Sequence, residues 1–506
     1  MTLPLTTSLP PGGIDWRSLA IAFAFAALAL FLNTHSNQFP SAYHPDEPSK
    51  ARQVIEGEFN FHHPMLMLTT TRLLLVGAGD PTDVEQVTIA GRWASALFTS
   101  AAIFCLTLLA ALLGGSLAAG IAGALLATNH QLFELAHYFK EDPALLFGLS
   151  AFFLCLVLFD RRPGLGMAAL LGASVGLALS GKYVGGVAAP IALGFLLARR
   201  ERPGLTIPLC LATAATVFAV INLPAFLHFG GFAEGFGREL DFAVRGHKGI
   251  TRSVPHGVYG AVFRESTNPV IWVLLGFYAM GLWLRFRTVK ASEWIVALFP
   301  LAFALMLSFS PKTHHRYFLP ATGILLTLAA LGTVTFARAR WKGHPLLPRV
   351  PRTAVALLLL GIALAVQLPT TWAYFSGFGH DGRSALAAWL VEHVPAGRTI
   401  VIDKRVNLRA LNLPYEFEGK LFAADVGTID ELRQRGIEYV GVAEGDYGRF
   451  FREKLRPTDD GAEEFNRRRS FYEQLFEEGE LVFECEPGTL QYLQPHLKLY
   501  RLPPKP

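Results

Sequence analysis

The sequence predicts a polytopic α-helical membrane protein with a small soluble α/β domain at its C-terminal end. Composition is the first indication: of 506 residues, 52% are hydrophobic and 17% charged, against about 25% charged in typical soluble domains. The second is a series of apolar runs near the length of about 20 residues that a helix needs to cross a bilayer. The third is a change near residue 375, after which charged residues become frequent.

The apolar runs predict about eleven transmembrane helices within residues 1–374, which we take as one membrane domain. Two of the runs, on either side of "SGKYVGG", are short. The runs lie at 17–34, 90–113, 117–135, 143–160, 164–181, 183–198, 205–228, 269–285, 292–310, 317–337 and 353–374.

The charges between the runs predict the orientation of the chain. Connections after even-numbered helices are short and basic, for example "DRRPG", "ARRERPG" and "RFRTVK". Such loops are typical of the cytoplasmic side. Eleven helices then give a multi-pass protein of the plasma (inner) membrane with a cytoplasmic N-terminus and an extracytoplasmic C-terminal domain. Because the basic excess lies between apolar segments, nucleic acid is not a predicted partner.

The first outer loop, residues 35–89, places an acidic pair between two prolines. In "SAYHPDEPSK" the pair is Asp46 and Glu47, and "EPSKARQVIEG" after it has the pattern of a short helix that ends at a glycine. The segment "MLMLTTTRLLLVGA" is too polar to span a membrane comfortably, which predicts a helix lying in the interface.

Other outer loops add a second acidic pair and several basic residues. Cations hold phosphate groups well and a carboxylate moves a proton, so this combination suits a phosphate-bearing, membrane-embedded substrate. The residues concerned are Glu141, Asp142, Lys182, Lys312, His314, His315 and Arg316.

Each of these residues also has a structural interpretation. The acidic residues precede helices and are suited to cap them, and Lys182 could reach the membrane interface by snorkelling. The outer histidines could be solvated loop residues. His62 and His63 resemble a metal-binding pair, but adjacent residues of an extended segment point apart. We therefore expect His63 to line the site without binding a metal.

Five motifs occur in order along residues 15–375: "HPDE", "FHHP", "YFKEDPALL", "SGKYVG" and "KTHHRYFLP". With them the chain resembles the integral-membrane GT-C glycosyltransferases that use a polyprenyl-phosphate sugar donor. Within that superfamily it is most similar to the group of protein O-mannosyltransferases and lipid A aminoarabinose transferases, the glycosyltransferase family 39-like group. The resemblance implies a GT-C fold for the membrane domain.

The resemblance also implies a reaction. A monosaccharide would pass from polyprenyl phosphate to an acceptor hydroxyl of a glycolipid, glycan or protein on the outer (periplasmic) face, with inversion. Asp46 would be the general base, with Glu47 beside it as the second catalytic residue. Membrane lipids are the remaining predicted partners. The implied substrate-binding residues are Glu141, Asp142, Lys182, Lys312, Arg316, His63 and His315.

No metal is required by this reaction, because phosphate is already a good leaving group. Some GT-C relatives with diphosphate-linked donors do use a divalent cation. If one bound here, its ligands would be Asp46, Glu141 and Asp142.

Residues 375–506 hold 18 Lys and Arg against 22 Asp and Glu. Their helices alternate with short apolar strands such as "TIVID", which predicts a small α/β domain with a largely parallel sheet. Since Cys485 is its sole cysteine, this extracytoplasmic tail domain has no internal disulfide. We expect it to help bind the acceptor or to shape the site.

Two other functions are compatible with a polytopic chain. A transporter or flippase of lipid-linked saccharides predicts functional charges inside the bilayer and repeated sets of helices. The middle sections of the apolar runs contain no charged residue, and the sequence has no obvious repeat. A non-catalytic membrane assembly protein would leave the outer acidic residues unexplained.

Overall fold

The computed structural model places most of the chain. The described residues are 5–6, 14–40, 43–77, 79–245, 251–252, 265–310, 314–341, 344–345, 350–378, 380–419, 421–453, 455–457, 461–490 and 492–503.

The membrane domain is helical wherever it contains long apolar runs. Its first half comprises α1 (Trp16–Thr34), α2 (Glu47–Glu56), α3 (Leu66–Leu75), α4 (Val84–Gly114), α5 (Ser116–Ala127), α6 (His130–Ala136), α7 (Asp142–Arg161) and α8 (Leu165–Gly181). Its second half comprises a 3-10 turn (Tyr183–Val187), α9 (Ala188–Arg199), α10 (Pro203–Ile221), α11 (Leu223–Leu227), α12 (Phe229–Arg245), α13 (Pro269–Leu284), α14 (Ala291–Ser308), a 3-10 turn (His315–Phe318), α15 (Leu319–Ala337) and α16 (Arg352–Gly377).

Among the described residues, seven helices are long and apolar enough to cross a membrane. They include α1, α4, α7, α10, α14, α15 and α16, and they confirm a multi-pass helical protein. The other predicted runs correspond to shorter apolar helices, and the predicted run 117–135 is divided between α5 and α6. The total of eleven spans therefore stays a prediction.

Helix α15 forms the centre of the membrane domain. Its residues from Leu319 to Thr335 are all buried, and α4, α5, α13 and α14 pack around it. The contact with α13 is close because α15 has a glycine there: a Cβ on Gly332 would lie 1.9 Å from the carbonyl oxygen of Leu274. Small residues thus allow the apolar helices to approach each other, as is usual between helices in membranes.

The first outer loop folds as two short helices over one end of this bundle. Helix α2 begins after Asp46 and ends at Gly57, whose φ of 74° is left-handed, as the sequence predicts. Helix α3 follows, and both helices pack on α4. The acidic pair is thereby held against the bundle, at the start of α2.

The tail domain contains a five-stranded sheet that is mixed, so the prediction of a largely parallel sheet is wrong. The strand order is β2-β1-β3-β5-β4; β1 pairs in parallel with β2 and β3, whereas β5 is antiparallel to β3 and β4. Strands β4 and β5 follow each other with no helix between them among the described residues. Parallel neighbours need a crossover connection of about a dozen or more residues, whereas a short connection makes neighbouring strands antiparallel. The strands are β1 (Thr399–Ile402), β2 (Glu416–Glu418), β3 (Tyr439–Ala443), β4 (Glu480–Cys485) and β5 (Leu497–Arg501).

Four helices flank this sheet, and further short ladders occur elsewhere. The helices are α17 (Gly382–His393), α18 (Ile429–Gln434), α19 (Glu444–Tyr447) and α20 (Ala462–Glu478), with 3-10 turns at Leu408–Leu411, Ala423–Asp425 and Gly448–Phe450. Two-residue ladders pair Leu5–Thr6 with Arg340–Trp341, Arg340–Trp341 with His344–Pro345, and Thr251–Arg252 with Leu455–Arg456.

The tail domain packs on the same end of the bundle as the first outer loop. The two regions share an aromatic cluster in which Tyr43 and Tyr138 of the membrane domain meet Tyr492 of the tail. Tyr43 also donates a hydrogen bond to Asp381, and its ring lies under the guanidinium of Arg383, 4.2 Å away. The end of the bundle that carries the acidic pairs is therefore covered by the tail domain.

Candidate active site

Asp46 lies at the first turn of α2, but its side chain does not cap that helix. Its carboxylate instead forms an ion pair with Lys140, and the guanidinium of Arg316 lies 3.9 Å away. Lys140 is buried, whereas the Asp46 side chain is 43% exposed. The Lys140 ammonium holds the pKa of Asp46 well below its usual range. Asp46 is therefore an ionised carboxylate that a substrate can reach.

Glu47 points in the other direction, into the protein. Arg92 donates two hydrogen bonds to its carboxylate, at 3.0 and 2.7 Å, and the backbone N–H of Phe139 donates a third at 3.0 Å. Both side chains of the ion pair are completely buried. Arg92 also donates to the carbonyl oxygens of Asn37 and Phe39. This network fixes α2, and hence Asp46, against α4 and the segment before α7.

The second acidic pair lies beside the first and has its own cations. Glu141 pairs with Lys50, and its carboxylate oxygen Oε2 lies 3.8 Å from Nε2 of His63. Asp142, at the start of α7, pairs with Lys182 at 2.7 Å and lies 3.7 Å from the guanidinium of Arg316. Arg316 therefore lies between Asp46 and Asp142.

The structure brings most of the predicted site residues together. Asp46, Glu47, Glu141, Asp142, Lys182, Arg316 and His63 all belong to the network of ion pairs at this end of the bundle. The ring of His315 lies 4.2 Å from that of His314 in a tilted arrangement, and the carbonyl oxygen of His315 accepts a hydrogen bond from Gln131. Lys312 lies outside the described residues.

Sequence reasoning missed three cations of this network: Lys50, Lys140 and Arg92. Each of them carries a usable signal. Lys50 lies three residues after Glu47 on a predicted helix, and Lys140 directly precedes the second acidic pair. Arg92 lies near the start of an apolar run, where a charge is costly and needs a partner.

Cations outnumber the carboxylates that they face at the site. Lys50, Lys140, Lys182 and Arg316 surround three acids, Asp46, Glu141 and Asp142, while the Glu47–Arg92 pair is neutral overall. Burial, and then the neighbouring positive charges, lower the pKa of Lys140 and of Lys50. A largely buried set of cations with this excess favours an anion, such as a phosphate group.

The same geometry is unfavourable for binding a metal ion at the site. The three acids named as ligands in the sequence analysis each have a lysine as a close partner: Lys140 for Asp46, Lys50 for Glu141 and Lys182 for Asp142. A divalent cation would have to displace those ammonium groups. This arrangement of the described residues fits an anion better than a cation.

The tail domain covers the site directly. Lys404 donates a hydrogen bond of 3.0 Å to the carbonyl oxygen of Pro45, which precedes Asp46. The ring of Tyr492 lies 4.2 Å from that of His44, and the guanidinium of Arg405 lies 5.4 Å from the Tyr492 ring. No motif in the sequence indicates these residues.

Two comparisons with known proteins bear on this arrangement. The family model for dolichyl-phosphate-mannose-protein mannosyltransferases matches residues 73–236. Among solved structures, ArnT from Cupriavidus metallidurans bound to undecaprenyl phosphate is similar over 94% of this chain and 97% of its own, with a TM-score of 0.55 and 16% identity. The membrane domain has the GT-C fold.

A second solved structure has a similar relation to the chain. The oligosaccharyltransferase AglB from Archaeoglobus fulgidus, in complex with an inhibitory peptide and a dolichol-phosphate, matches 93% of this chain and 73% of its own, with a TM-score of 0.55 and 13% identity. No curated protein matches the chain in sequence. The family model and the neighbours all point to a GT-C glycosyltransferase, which confirms the predicted resemblance and enzyme class.

Proposed function

We propose that this protein transfers a monosaccharide from a polyprenyl-phosphate donor to an acceptor hydroxyl, with Asp46 as the general base. The observation that carries the proposal is the placement of Asp46. It is a partly exposed carboxylate near two buried cations, Lys50 and Lys140, and two half-buried ones, at the end of a membrane-spanning bundle. A lipid-linked phosphate that lies in the membrane would present its head group at such a site.

The cations have two tasks in this proposal. Lys140 and Arg316 are near enough to Asp46 to hold the donor phosphate beside the base. Lys182 and Lys50 neutralise Asp142 and Glu141, so these acids do not cancel the excess positive charge of the site. Charge-assisted hydrogen bonds of this kind strengthen as charge develops on the leaving phosphate. They favour departure of the phosphate without a metal ion.

Asp46 takes the proton of the acceptor hydroxyl as its oxygen attacks the anomeric carbon. A new carbon–oxygen bond forms on one face of that carbon while the bond to the phosphate oxygen breaks on the other, so the configuration inverts and polyprenyl phosphate leaves. In the free protein Lys140 is the main cause of the low pKa of Asp46. When Lys140 turns to the donor phosphate, Asp46 becomes a stronger base.

Glu47 has a positioning role in this proposal and does not exchange a proton. Its carboxylate is buried and occupied by Arg92 and the backbone of Phe139. Since Glu47 begins the helix that follows Asp46, the Arg92 pair fixes the direction of the base.

Turnover of a panel of polyprenyl-phosphate sugars by purified wild type and Asp46→Asn tests the proposal. We expect one sugar to be consumed by wild type, with cell-extract acceptors, and a loss of about 10²–10⁴-fold in the variant, the usual contribution of a general base. The matched control is Asp80→Asn, in the same loop but exposed and bound to Thr82, which should keep full activity. Equal rates in wild type and Asp46→Asn would refute the role of Asp46.

Labelling of Cys485 tests the proposed membrane face. Cys485 is partly exposed in the tail domain, whereas Cys105 and Cys210 are buried among the helices. We propose that the protein lies in the plasma membrane with its tail outside. An impermeant maleimide should then label intact spheroplasts of wild type but not of Cys485→Ser. Labelling that appears only after permeabilisation would place the tail in the cytoplasm.

A further inference from the structure

The chain directly before Asp46 contacts the tail domain residue by residue. We call these residues the base segment: Tyr43, His44 and Pro45. Tyr43 donates a hydrogen bond to Asp381, at the start of α17, and the guanidinium of Arg383 lies 4.2 Å from the centre of its ring. Tyr43 and Arg383 are both buried. The first residue of the base segment is therefore held by the tail.

The other two residues of the base segment contact two further parts of the tail. The ring of His44 lies 4.2 Å from that of Tyr492, in the turn before β5. Lys404, two residues after the end of β1, donates a hydrogen bond of 3.0 Å to the carbonyl oxygen of Pro45. These parts of the tail are far apart in the sequence, so only the folded and docked domain can supply all three contacts.

Arg383 connects these parts of the tail to each other. Its guanidinium donates a hydrogen bond of 2.7 Å to the carbonyl oxygen of Arg405, the residue after Lys404. A second hydrogen bond, of 3.3 Å, goes to the carbonyl oxygen of Leu493, the residue after Tyr492. Because hydrogen bonds from a charged donor are comparatively strong, the three contacts with the base segment come from one stiff unit.

The other side of Asp46 is held by the membrane domain, through Glu47 and the buried Arg92. On the side of the tail, the backbone N–H of Asp46 itself donates a hydrogen bond of 3.3 Å to Nδ1 of His44. A reacting group has to stay within about 0.5 Å of its productive position, and a displacement of about 1 Å can cost roughly 10²-fold in rate. The partly exposed Asp46 carboxylate therefore depends on both of its neighbours for its direction.

We propose that the tail domain positions the general base by fixing the base segment, which in turn directs the Asp46 carboxylate towards the acceptor hydroxyl. The positioning residues of the tail are Asp381, Arg383, Lys404 and Tyr492. They act through the chain before Asp46 and do not touch the reacting atoms. The inference rests on the proposed role of Asp46 and assigns the tail a contribution to kcat, not to the affinity for donor or acceptor.

Steady-state kinetics of Lys404→Met, with the polyprenyl-phosphate sugar that wild type consumes and cell-extract acceptors, test the inference. Lys404 is exposed, so its replacement should leave the fold intact. We expect kcat to fall about tenfold while the KM values of donor and acceptor stay within about twofold of wild type, because the base is displaced but the substrates still bind. Lys404→Arg keeps a charged donor and should recover most of the rate.

Arg409→Met is the matched control. Arg409 is also an exposed cation of the tail that donates to backbone carbonyl oxygens, but these belong to Phe417 and Gly419 within the tail itself. It should keep the wild-type kcat. An equal loss in Arg409→Met and Lys404→Met would show a general need for an intact tail, and an increase in the acceptor KM alone would show that Lys404 binds the acceptor. Either result would overturn the inference.

The same substitution in the Asp46→Asn background tests whether Lys404 acts through the base. A positioning residue should have no further effect once the base is gone, so Asp46→Asn and Asp46→Asn/Lys404→Met should turn over at equal rates. A further tenfold loss in the double variant would show that Lys404 acts independently of Asp46 and would contradict the inference.

Hydrogen–deuterium exchange of the full chain in detergent separates this inference from the proposed function. The backbone amides of residues 43–47 should exchange at least fivefold faster in Lys404→Met and in Tyr43→Phe, which removes only the hydroxyl bonded to Asp381. Arg409→Met should exchange as wild type does. Unchanged exchange in both variants would overturn the inference even if Asp46→Asn abolished transfer. If Asp46→Asn were as active as wild type, the proposed base would be wrong, and faster exchange would still support a base segment fixed by the tail.

Discussion

Both ends of the helical bundle contain buried carboxylates in ion pairs, but the pairs differ in balance. At the end far from the tail domain, Asp160 pairs with Arg199 at 2.7 Å and accepts a hydrogen bond of 2.5 Å from Ser292. Glu293 there pairs with Arg285 and accepts a hydrogen bond from Tyr278. Each acid has one arginine and one hydroxyl. At the site end, four cations face three acids, and three of the cations are lysines.

This difference distinguishes charges that stabilise the fold from charges that are suited to bind a substrate. Burying a charge costs several kcal/mol, and a well-bonded partner offsets that cost. The far end meets this condition with arginines, which bind carboxylates with a rigid fork and do not titrate. The site end retains an unbalanced positive charge, which is not expected of residues that only stabilise the fold. An arriving phosphate supplies the missing negative charge.

The largest effect is expected at Glu47–Arg92, the pair at the site end that is balanced like those at the far end. Arg92→Met leaves the Glu47 carboxylate buried without its ion-pair partner and should cost about 3–5 kcal/mol of unfolding free energy. Thermal unfolding in detergent measures the loss. Adding Glu47→Gln to Arg92→Met should recover part of the stability, because the uncompensated charge is removed.

An Arg92→Met variant as stable as wild type would contradict the view that balanced pairs stabilise the fold. The pair would then not hold the fold, and Glu47 would return to the list of residues that act on substrate. Arg285→Met is the parallel change at the far end. It should also destabilise, though less, since the Arg285 side chain is 17% exposed and that of Arg92 is completely buried.

A second, smaller effect concerns the unbalanced cations. Arg316→Met should weaken binding of undecaprenyl phosphate about 10–100-fold, the worth of one or two hydrogen bonds to a charged group. Stability should change little, because Arg316 is shared between two acids that keep their lysines. A fluorescence titration with the lipid measures the affinity.

The far end again supplies the control for this binding experiment. Arg285→Met removes an arginine that pairs with Glu293 and lies away from the site, so lipid affinity should be retained. If Arg316→Met bound the lipid as tightly as wild type, the positive excess would not serve phosphate recognition. The donor site would then have to be sought elsewhere.

The sequence was informative where local patterns carry the signal. Prolines and the acidic pair predicted the start of α2, the glycine at 57 predicted its end, and the spacing of apolar runs predicted the helical bundle. The outer motifs identified Asp46, Asp142, Lys182 and Arg316 as members of one site because topology placed their loops on one face. The structure unites them.

Which cation pairs with which acid, and which residues of the tail reach the site, could not be predicted in this way. Whether a cation reaches Asp46 or Glu141 depends on the packing of α2 on α4, and two lysines were therefore overlooked. Tyr492 lies 448 positions after His44, in a turn with no motif, and only the docking of the tail brings the rings together. The mixed sheet likewise follows from where β5 inserts between β3 and β4.

The smallest expected effect is on the pH dependence of lipid affinity, which should depend on the lysines at the site end and not on the arginines at the far end. Burial and neighbouring cations lower the pKa values of Lys50 and Lys140 below the ordinary lysine range. The protonated lysines bind phosphate, so affinity is greatest below these lowered pKa values and falls as pH rises through them. The fall should be at most about tenfold per pH unit for each lysine. Affinity for undecaprenyl phosphate should therefore decline as the pH rises towards the ordinary lysine pKa of about 10.4. A titration from about pH 8 to 9.5, where the lipid phosphate is already fully ionised, follows that decline.

Lys140→Met sharpens this last test. The variant should bind the lipid more weakly at pH 8 but lose less affinity between pH 8 and 9.5, because one of the two titrating groups is gone. Arg285→Met, at the end where the paired cations are arginines, should show the same decline as wild type. A wild-type affinity that stays constant up to pH 9.5 would mean that Lys50 and Lys140 keep their protons, or that the phosphate is held by Arg316 and Lys182 alone.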